Sequence, residues 1–426
     1  MQQTAKGWRK RLEGGELGAA LKLLYCEEAL AGERRLYDTL RGFSSRFGEE
    51  TSCGLFSASG RTELSGNHTD HQRGCVLCAA VTLDMTAAAA PREDMTVHIL
   101  SEGFGEIFVD LSDLGVVERE KGSSAALIRG IAKAISDKGG KLRGFDAYIR
   151  SNVPQGSGLS SSAAYEVLIG KIFSELFCED VFSPTELAIF GQYAENVYFG
   201  KPCGLMDQMA SALGGVVFID FENPKEPRAR GIEFDFEGAG YSLCITNAGG
   251  SHADLTGDYA AITEEMRSVS RFFGKNALRE VCEQEFRAAI PSLRGTVCDR
   301  AILRAMHFFD ENRRVHEQLR ALEDGETGRY LELMNASGRS SMTMLQNIWP
   351  TFDGVERSLA LALALSEAFL KGDGAVRVHG GGFAGTIQAF VPTGRTAEYK
   401  KLMDETFGEG ACCVMAVRPV GAYCIK

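Results

Sequence analysis

The sequence lacks the features that are typical of membrane proteins, of secreted proteins and of proteins that bind nucleic acid. No apolar run in its 426 residues approaches the ~20 residues that a membrane-spanning helix needs. The net charge of −11 gives no support to nucleic acid or an anionic membrane as a partner. Residues 1–15 are polar and lack the apolar core of a secretion signal. We therefore expect a cytoplasmic protein without nucleic acid or membrane partners, and the sequence gives no indication of its oligomeric state.

The twelve cysteines follow neither the pattern of a disulfide framework nor that of a metal site. They are scattered and lie mostly in apolar runs, which is typical of reduced thiols in a cytosolic protein. Cys75 and Cys78 form a Cys-x-x-Cys, but no second cysteine pair has ligand spacing. We interpret this pair as packing residues of a strand-like apolar run.

A glycine-rich loop is the strongest chemical signal that is present. It follows a strand-like alternation at 145–151, precedes a helical pattern from 165 onward, and reads Val153-Pro-Gln-Gly-Ser-Gly-Leu-Ser-Ser-Ser-Ala-Ala164. A loop that feeds a helix N-terminus gathers unpaired N–H groups at the positive end of the helix dipole, which predicts an anion site, most often for phosphate. It is not a Walker A loop, because no lysine ends it. Taken alone, a turn without a ligand is an equally good interpretation.

The loop resembles the phosphate loop of the GHMP small-molecule kinases, and its triple serine resembles the galactokinase branch of that family. The resemblance implies that the backbone of this segment cradles the phosphates of ATP. The implied nucleotide-binding residues are Gly156, Ser157, Gly158, Leu159, Ser160, Ser161, Ser162 and Ala163. It also implies that Ser162 and the later Glu195 bind Mg²⁺.

A second motif lies at residues 57–77 and carries Arg61 and Asp70. An ionised carboxylate such as Asp70 accepts hydrogen bonds from neighbouring sugar hydroxyls with good directionality. An arginine nearby can neutralise the charge on a phosphoryl group during its transfer. These residue types would suit a site where a sugar meets a phosphate donor.

This motif resembles the galactose-binding signature of galactokinases, which implies that Asn67, His68 and Asp70 bind the sugar. Glu63 replaces the asparagine of that signature, Asn67 its glutamate and His71 its tyrosine. The glutamate of galactokinases faces C6 of the sugar, and an asparagine there would not repel a carboxylate. The resemblance therefore implies galactose as the substrate, with a C6-modified sugar such as galacturonate as the alternative. A metal site formed by His68, Asp70 and His71 is a further alternative, but no second matching set of ligands occurs.

Later segments resemble the same family in the same order. The sequence Gly200-Lys-Pro-Cys-Gly-Leu-Met-Asp-Gln208 resembles the segment whose aspartate meets the attacking hydroxyl, which implies that Asp207 is catalytic beside Arg61. Tyr259 resembles a tyrosine that lines the sugar pocket. Residues 379–385 resemble the glycine-rich third motif, whose glycines allow a close approach to the phosphate loop.

Local patterns predict the organisation around these motifs. Residues 76–110 predict several short strands, and 304–315 predict a structural helix whose charges lie mostly on a solvated face. Ser183 begins a capping box, and the two prolines within 223–230 mark the best domain boundary. We expect a helical extension packed on the body (1–50), an N-terminal kinase domain (51–225) and a C-terminal kinase domain (232–426).

The ordered set of motifs implies the two-domain α+β GHMP kinase fold, with the active site in the cleft between the domains. The implied reaction is the phosphorylation of the anomeric hydroxyl of a galactose-like sugar by ATP with Mg²⁺. A sugar sensor without catalytic activity is the alternative from a different class of protein. The retention of Arg61, Ser162 and Asp207 argues against a sensor, since a sensor could lose these residues freely.

Overall fold

The computed structural model describes residues 3–154, 158–249, 255–351, 357–383 and 385–426. Its strands are β1 (Gln3–Thr4), β2 (Ser52–Ser65), β3 (Cys75–Pro91), β4 (Thr96–Ser101), β5 (Glu106–Asp110), β6 (Phe145–Ser151), β7 (Val216–Asp220), β8 (Arg228–Ile232), β9 (Tyr241–Asn247), β10 (Ala375–Val378), β11 (Thr386–Pro392), β12 (Cys412–Met415) and β13 (Tyr423–Ile425). Its helices are α1 (Ala5–Glu13), α2 (Gly18–Tyr25), α3 (Ala29–Phe47), α4 (Ser124–Asp137), α5 (Ser161–Phe177), α6 (Pro184–Tyr193), α7 (Met206–Leu213), α8 (Thr256–Phe272), α9 (Glu283–Leu293), α10 (Asp299–Glu323), α11 (Thr327–Ser340), α12 (Ser358–Leu370) and α13 (Thr396–Phe407).

The larger sheet is built around β3. Its strand order is β1-β2-β3-β6-β4-β5, with β7 also on β3, β8 on β7 and β13 on β2. The prediction of several short strands over 76–110 is wrong for its first part, because β3 is one strand of 17 residues. All of β3 except Leu83 and Pro91 is buried or nearly so, since neighbouring strands and helices cover it. A strand buried on both faces reads as a continuous apolar run, and such a run does not reveal its length.

The smaller sheet has the order β10-β11-β9-β12, and all of its pairs are antiparallel. A hydrophobic cluster joins the two sheets: Val153 and Leu159 from the phosphate loop pack with Leu243, Ile245 and Met415 from the smaller sheet. The loop is therefore held between both parts of the molecule. The resulting fold is the predicted two-domain α+β arrangement.

The first three helices pack against the start of the larger sheet. Trp8 of α1 is fully buried, and its Nε1 donates a hydrogen bond to the carbonyl oxygen of Cys53 (2.9 Å). At the other end of the chain, β13 pairs with β2, and β8 begins within the predicted boundary segment. The last strand thus returns to the larger sheet, and the division at 1–50, 51–225 and 232–426 stays a prediction.

Two helices test the local predictions. The capping box at α6 is present, because Ser183 accepts from the Glu186 N–H while the Glu186 carboxylate accepts from the Ser183 N–H. The prediction of a solvated charged face on α10 is wrong, since Arg304 and Glu311 are buried. α10 packs against α8 and α11, and these charges are bound by protein groups there. Among the described helices, none combines the length and the apolarity that crossing a bilayer requires.

Candidate active site

The phosphate loop joins β6 to α5, as the strand–loop–helix pattern predicts. Gly156 and Ser157 lie outside the described residues. Gly158 has a φ of +69°, and a Cβ there would lie 2.8 Å from Thr386 Oγ1 and 3.1 Å from His379 Nδ1. Glycine is therefore required both by the left-handed backbone and by the close approach of the third motif.

The end of this loop presents the N-terminus of α5 to the cleft. Ser160 is the residue before the helix and has a left-handed φ of +55°. Leu159 and Ala163 are buried and anchor the turn, whereas Ser161 and Ser162 are half-buried. The free N–H groups of the first turn and the dipole of this 17-residue helix suit an anion such as a phosphate.

Arg61 and Asp207 form a two-pronged ion pair beside this helix end. Arg61 Nε donates to Asp207 Oδ1 and Nη2 donates to Asp207 Oδ2, both at 2.7 Å. Nη1 donates to the carbonyl oxygen of Gly158, and Ser160 Oγ donates to Asp207 Oδ2 (2.7 Å). Arg61 comes from β2 and Asp207 from the first turn of α7, so two distant motifs meet at the phosphate loop.

The Asp207 carboxylate remains accessible, with 31% of its side chain exposed against 7% for Arg61. Burial raises the pKa of Asp207, but the charge and hydrogen bonds of Arg61 outweigh that effect and lower the pKa below its ordinary value. Asp207 is therefore ionised at neutral pH. It can accept a hydrogen bond from a hydroxyl and fix its direction, but it is a weak base until negative charge leaves that hydroxyl.

Glu195 and Glu166 are buried and share one hydrogen-bond donor, Gln208, which is the residue after Asp207 in the sequence. Gln208 Nε2 donates to Glu195 Oε2 (3.0 Å) and to Glu166 Oε2 (2.9 Å). Lys201 Nζ lies 3.3 Å from Glu195 Oε1. Burial and then the nearby Glu195 charge raise the pKa of Glu166 well above its ordinary value, so Glu166 holds a proton more readily than a free carboxyl group.

The loop between β2 and β3 carries the predicted sugar-binding residues and is called the sugar loop; it brings Asp70 towards Asp207. Asp70 Oδ1 accepts the His71 N–H (2.9 Å), and 14% of the Asp70 side chain is exposed. A Cβ at Gly204 would overlap the Asp70 carboxylate, so Asp70 lies directly against the loop that leads to Asp207. A sugar bound by Asp70 would therefore lie close to Asp207.

Asn67 is placed differently from the sequence-based expectation. It is fully buried, and its Nδ2 donates to Glu63 Oε1 (3.0 Å) and to the Gly380 carbonyl oxygen (2.6 Å). Its Oδ1 accepts from Asn347 Nδ2 (2.8 Å) and from Ser341 Oγ (3.3 Å). These bonds use the hydrogen-bonding capacity of the amide, and this geometry speaks against Asn67 as a direct sugar ligand.

His68 and Tyr259 contact the third motif. His68 Nε2 lies 2.9 Å from the Gly381 carbonyl oxygen and donates to it, and Tyr259 Oη donates to the Gly382 carbonyl oxygen (3.0 Å). Burial lowers the pKa of His68 to about 4, so the ring is neutral at neutral pH. Among the described residues, no three His, Cys, Asp or Glu side chains come together as metal ligands, and His68, Asp70 and His71 are no exception.

Comparison with known proteins agrees with this geometry. The family model for the GHMP kinases N terminal domain matches residues 122–215, and the model for the galactokinase galactose-binding signature matches residues 41–91. The structure is similar to that of a Lactococcus lactis galactokinase complexed with galactose, with a TM-score of 0.77 and 26% identity over 90% of this chain and 98% of that one. The chain therefore contains a GHMP kinase N-terminal domain and a galactokinase galactose-binding signature, on a fold that it shares with a galactokinase. It is a phosphotransferase that acts on a sugar hydroxyl.

Two solved structures with lower sequence identity have a similar fold. A mevalonate kinase has a TM-score of 0.60 at 15% identity, covering 85% of this chain and 98% of its own. A D-glycero-D-manno-heptose 1-phosphate kinase from Bacteriodes thetaiotaomicron has a TM-score of 0.59 at 17% identity, covering 87% and 98%.

Some residues of this candidate site were not found by sequence reasoning. Glu63 is buried and pairs with Arg377 of β10 at 2.5 Å, close to Asn67. The asparagine and glutamate of the family signature have changed places, at positions 63 and 67 of this chain. This exchange indicated that Glu63 has an unusual role, but it did not identify Arg377 as its partner. Lys201 and Glu166 were also missed, because one lysine in a loop and one glutamate in a helix carry no pattern of their own.

Proposed function

We propose that this GHMP kinase is a galactokinase, which transfers the γ-phosphoryl group of ATP to the anomeric hydroxyl of galactose. The observation that carries the proposal is the position of the Arg61–Asp207 pair. Ser160 of the phosphate loop touches it on one side, and the loop next to Asp70 leads into it on the other. A phosphate donor and a sugar would meet at this pair.

In the proposed reaction, Asp207 accepts a hydrogen bond from the anomeric hydroxyl and directs its oxygen at the γ-phosphorus. The new O–P bond forms as the bond to the leaving ADP oxygen breaks. Because the pKa of Asp207 is low, its main contribution is orientation, and it takes up the hydroxyl proton only as the new bond forms. Arg61 and the N-terminus of α5 stabilise the negative charge on the phosphoryl oxygens.

The proposal includes Mg²⁺, which would bind together with ATP. Glu195 and Ser162 offer the oxygen ligands that Mg²⁺ prefers, and a small ligand set suits an ion that keeps waters and phosphate oxygens. When bound, the ion would neutralise phosphate charge. A cytoplasmic location is likewise proposed, supported by cysteines that are free thiols.

The alternative of a C6-modified sugar rested on Asn67 and on the change from Asp-Tyr-Asn to Asp70-His71-Gln72. The buried, fully bonded amide of Asn67 weakens the first of these two arguments. The test is a turnover assay with ATP, Mg²⁺ and a set of hexoses that includes galactose and galacturonate. Galactose should give a 1-phosphate, identified by phosphorus NMR, and galacturonate should be a poor substrate. Preference for galacturonate, or ADP release without a sugar phosphate, would overturn the proposal.

A further inference from the structure

One cation beside the catalytic pair has no part in the reaction described above. Lys201 is the second residue of the loop between the π-helical turn Ala194–Phe199 and α7. Its backbone N–H donates to the Glu195 carbonyl oxygen (3.1 Å), which anchors the residue, and its Nζ lies 3.3 Å from Glu195 Oε1. The lysine side chain is 64% exposed and the glutamate side chain 5%. The ammonium group therefore lies where a buried carboxylate meets solvent.

The surroundings of Lys201 distinguish it from an ordinary surface ion pair. Gln208 fixes Oε2 of Glu195, so Oε1 is the oxygen that Lys201 contacts. Gln208 is the residue after Asp207 in the sequence, so Glu195 connects the Lys201 ammonium group to the segment that carries the catalytic aspartate.

The chemistry of the proposed reaction needs such a cation. Negative charge spreads over the oxygens of the phosphoryl group during transfer. Arg61 is committed by Nε and Nη2 to Asp207 and by Nη1 to Gly158, which restricts it to one orientation. In the part of the chain that the structure describes, Glu195 is the group that the Lys201 ammonium contacts. Its flexible stem allows the remaining N–H donors to turn towards a phosphate.

We propose that Lys201 is a second catalytic cation, whose ammonium group binds the γ-phosphoryl group of ATP during its transfer. This inference rests on the proposed kinase function and extends it. The phosphoryl group moves from ADP to the sugar oxygen, and Lys201 stays protonated throughout, so it neither gives nor takes a proton. With ATP bound, the ammonium group would exchange part of its contact with the Glu195 carboxylate for a phosphoryl oxygen.

The variant that tests this is Lys201→Met, which keeps the stem and removes the charge. Calorimetry at saturating Mg²⁺ should show that ADP binds within about twofold of wild type. A non-hydrolysable ATP analogue, which retains the γ position, should bind about 10- to 100-fold more weakly, as expected for a lost charge-assisted hydrogen bond. With galactose, kcat should fall by a similar factor while the KM for the sugar changes little.

Two further variants separate this role from a structural one. Lys201→Arg keeps the charge and should recover most of the discrimination between the ATP analogue and ADP. Lys133→Met removes a lysine paired with Asp137 on the surface of α4 and should change neither ligand's affinity. Equal weakening of the ATP analogue and ADP, or no weakening of either, would overturn the role of Lys201. If wild type binds ATP but phosphorylates no hexose, the proposed function fails instead.

Discussion

Two ion pairs are formed by residues of β2 that lie two positions apart, and they have opposite characters. Arg61 pairs with Asp207, whose side chain is 31% exposed at the cleft. Two residues further along, Glu63 pairs with Arg377, and both side chains are almost completely buried. In the first pair, Arg61 lowers the pKa of the carboxyl group despite burial, whereas in the second, burial raises the pKa of Glu63 despite Arg377.

The difference teaches that membership of a motif does not decide what a side chain faces. The Arg61–Asp207 pair, called the open pair, leaves the Asp207 carboxylate available to a substrate. The Glu63–Arg377 pair, called the closed pair, acts together with Asn67 and joins the sugar loop to β10 and to Gly380 of the third motif. These bonds hold two parts of the cleft in register. The Glu63 carboxylate and the Asn67 amide are bound by protein groups, whereas Nε and Nη1 of Arg377 have no hydrogen-bond partner among the described residues.

The substitution with the largest expected effect removes the carboxylate charge of the open pair. Asp207→Asn keeps the shape of the side chain and removes its charge, so the sugar hydroxyl loses its oriented acceptor. Turnover of galactose should fall by about two to four orders of magnitude, measured by ADP release from a protein whose circular dichroism is unchanged. The surface variant Asp137→Asn on α4 serves as the control and should match wild type. Activity of Asp207→Asn within tenfold of wild type would contradict the assignment.

Breaking the closed pair should affect stability instead. Arg377→Met leaves the Glu63 carboxylate buried without its cation, which should lower the free energy of unfolding by about 3–5 kcal/mol. Urea unfolding measures this loss, and turnover per folded molecule should fall far less than in Asp207→Asn.

The double variant Glu63→Gln with Arg377→Met is the matched control. It removes the unpaired charge, together with Nε and Nη1 of Arg377, which have no hydrogen-bond partner among the described residues. Most of the lost stability should return. A double variant as unstable as Arg377→Met would show that the loss comes from packing.

The pH dependence of stability sharpens the same contrast. His68, His307 and His379 lie around the closed pair, and burial lowers the pKa of each. Below pH ~6.5 these histidines take up protons in the unfolded chain but stay neutral in the folded protein. Their contribution to the free energy of unfolding is therefore complete above that pH and is lost as the pH falls. The expected loss is up to about 1.4 kcal/mol per pH unit for each histidine.

Urea unfolding at pH values between about 5 and 8 measures this slope, and about 6.5 is the pH at which the loss should begin. His379→Gln keeps a polar side chain without a titration in this range. The slope should become shallower in this variant, and an unchanged slope would mean that His379 is protonated in the folded state.

The smallest expected effect provides a reference outside both pairs. Ser183→Ala removes the N-cap of α6 and should cost about 1 kcal/mol of stability, measured by urea unfolding, with turnover unchanged. A fall in turnover comparable with that of Asp207→Asn would show that activity in this protein follows overall stability, and the contrast between the two pairs would lose its meaning.

The sequence by itself was enough for the features that depend on neighbouring residues and on the order of motifs. The strand, loop and helix around Ser160 follow from local patterns, and so does the cap at Ser183. The order of the motifs led to the fold and to Arg61 and Asp207, which the structure brings together at the phosphate loop. Their residue types already implied a carboxylate and a cation at a phosphoryl group.

Only the tertiary structure decided which polar side chains face the cleft and which face the protein. Glu63 and Arg377 are 314 residues apart, and Asn67 and Asn347 are 280 apart. The length of β3 and the burial of Glu311 on α10 depend in the same way on distant neighbours. Local periodicity reports the shape of a segment, but burial and pairing are fixed by whatever packs against it. The direction of the Asn67 side chain could therefore be read only from the folded chain.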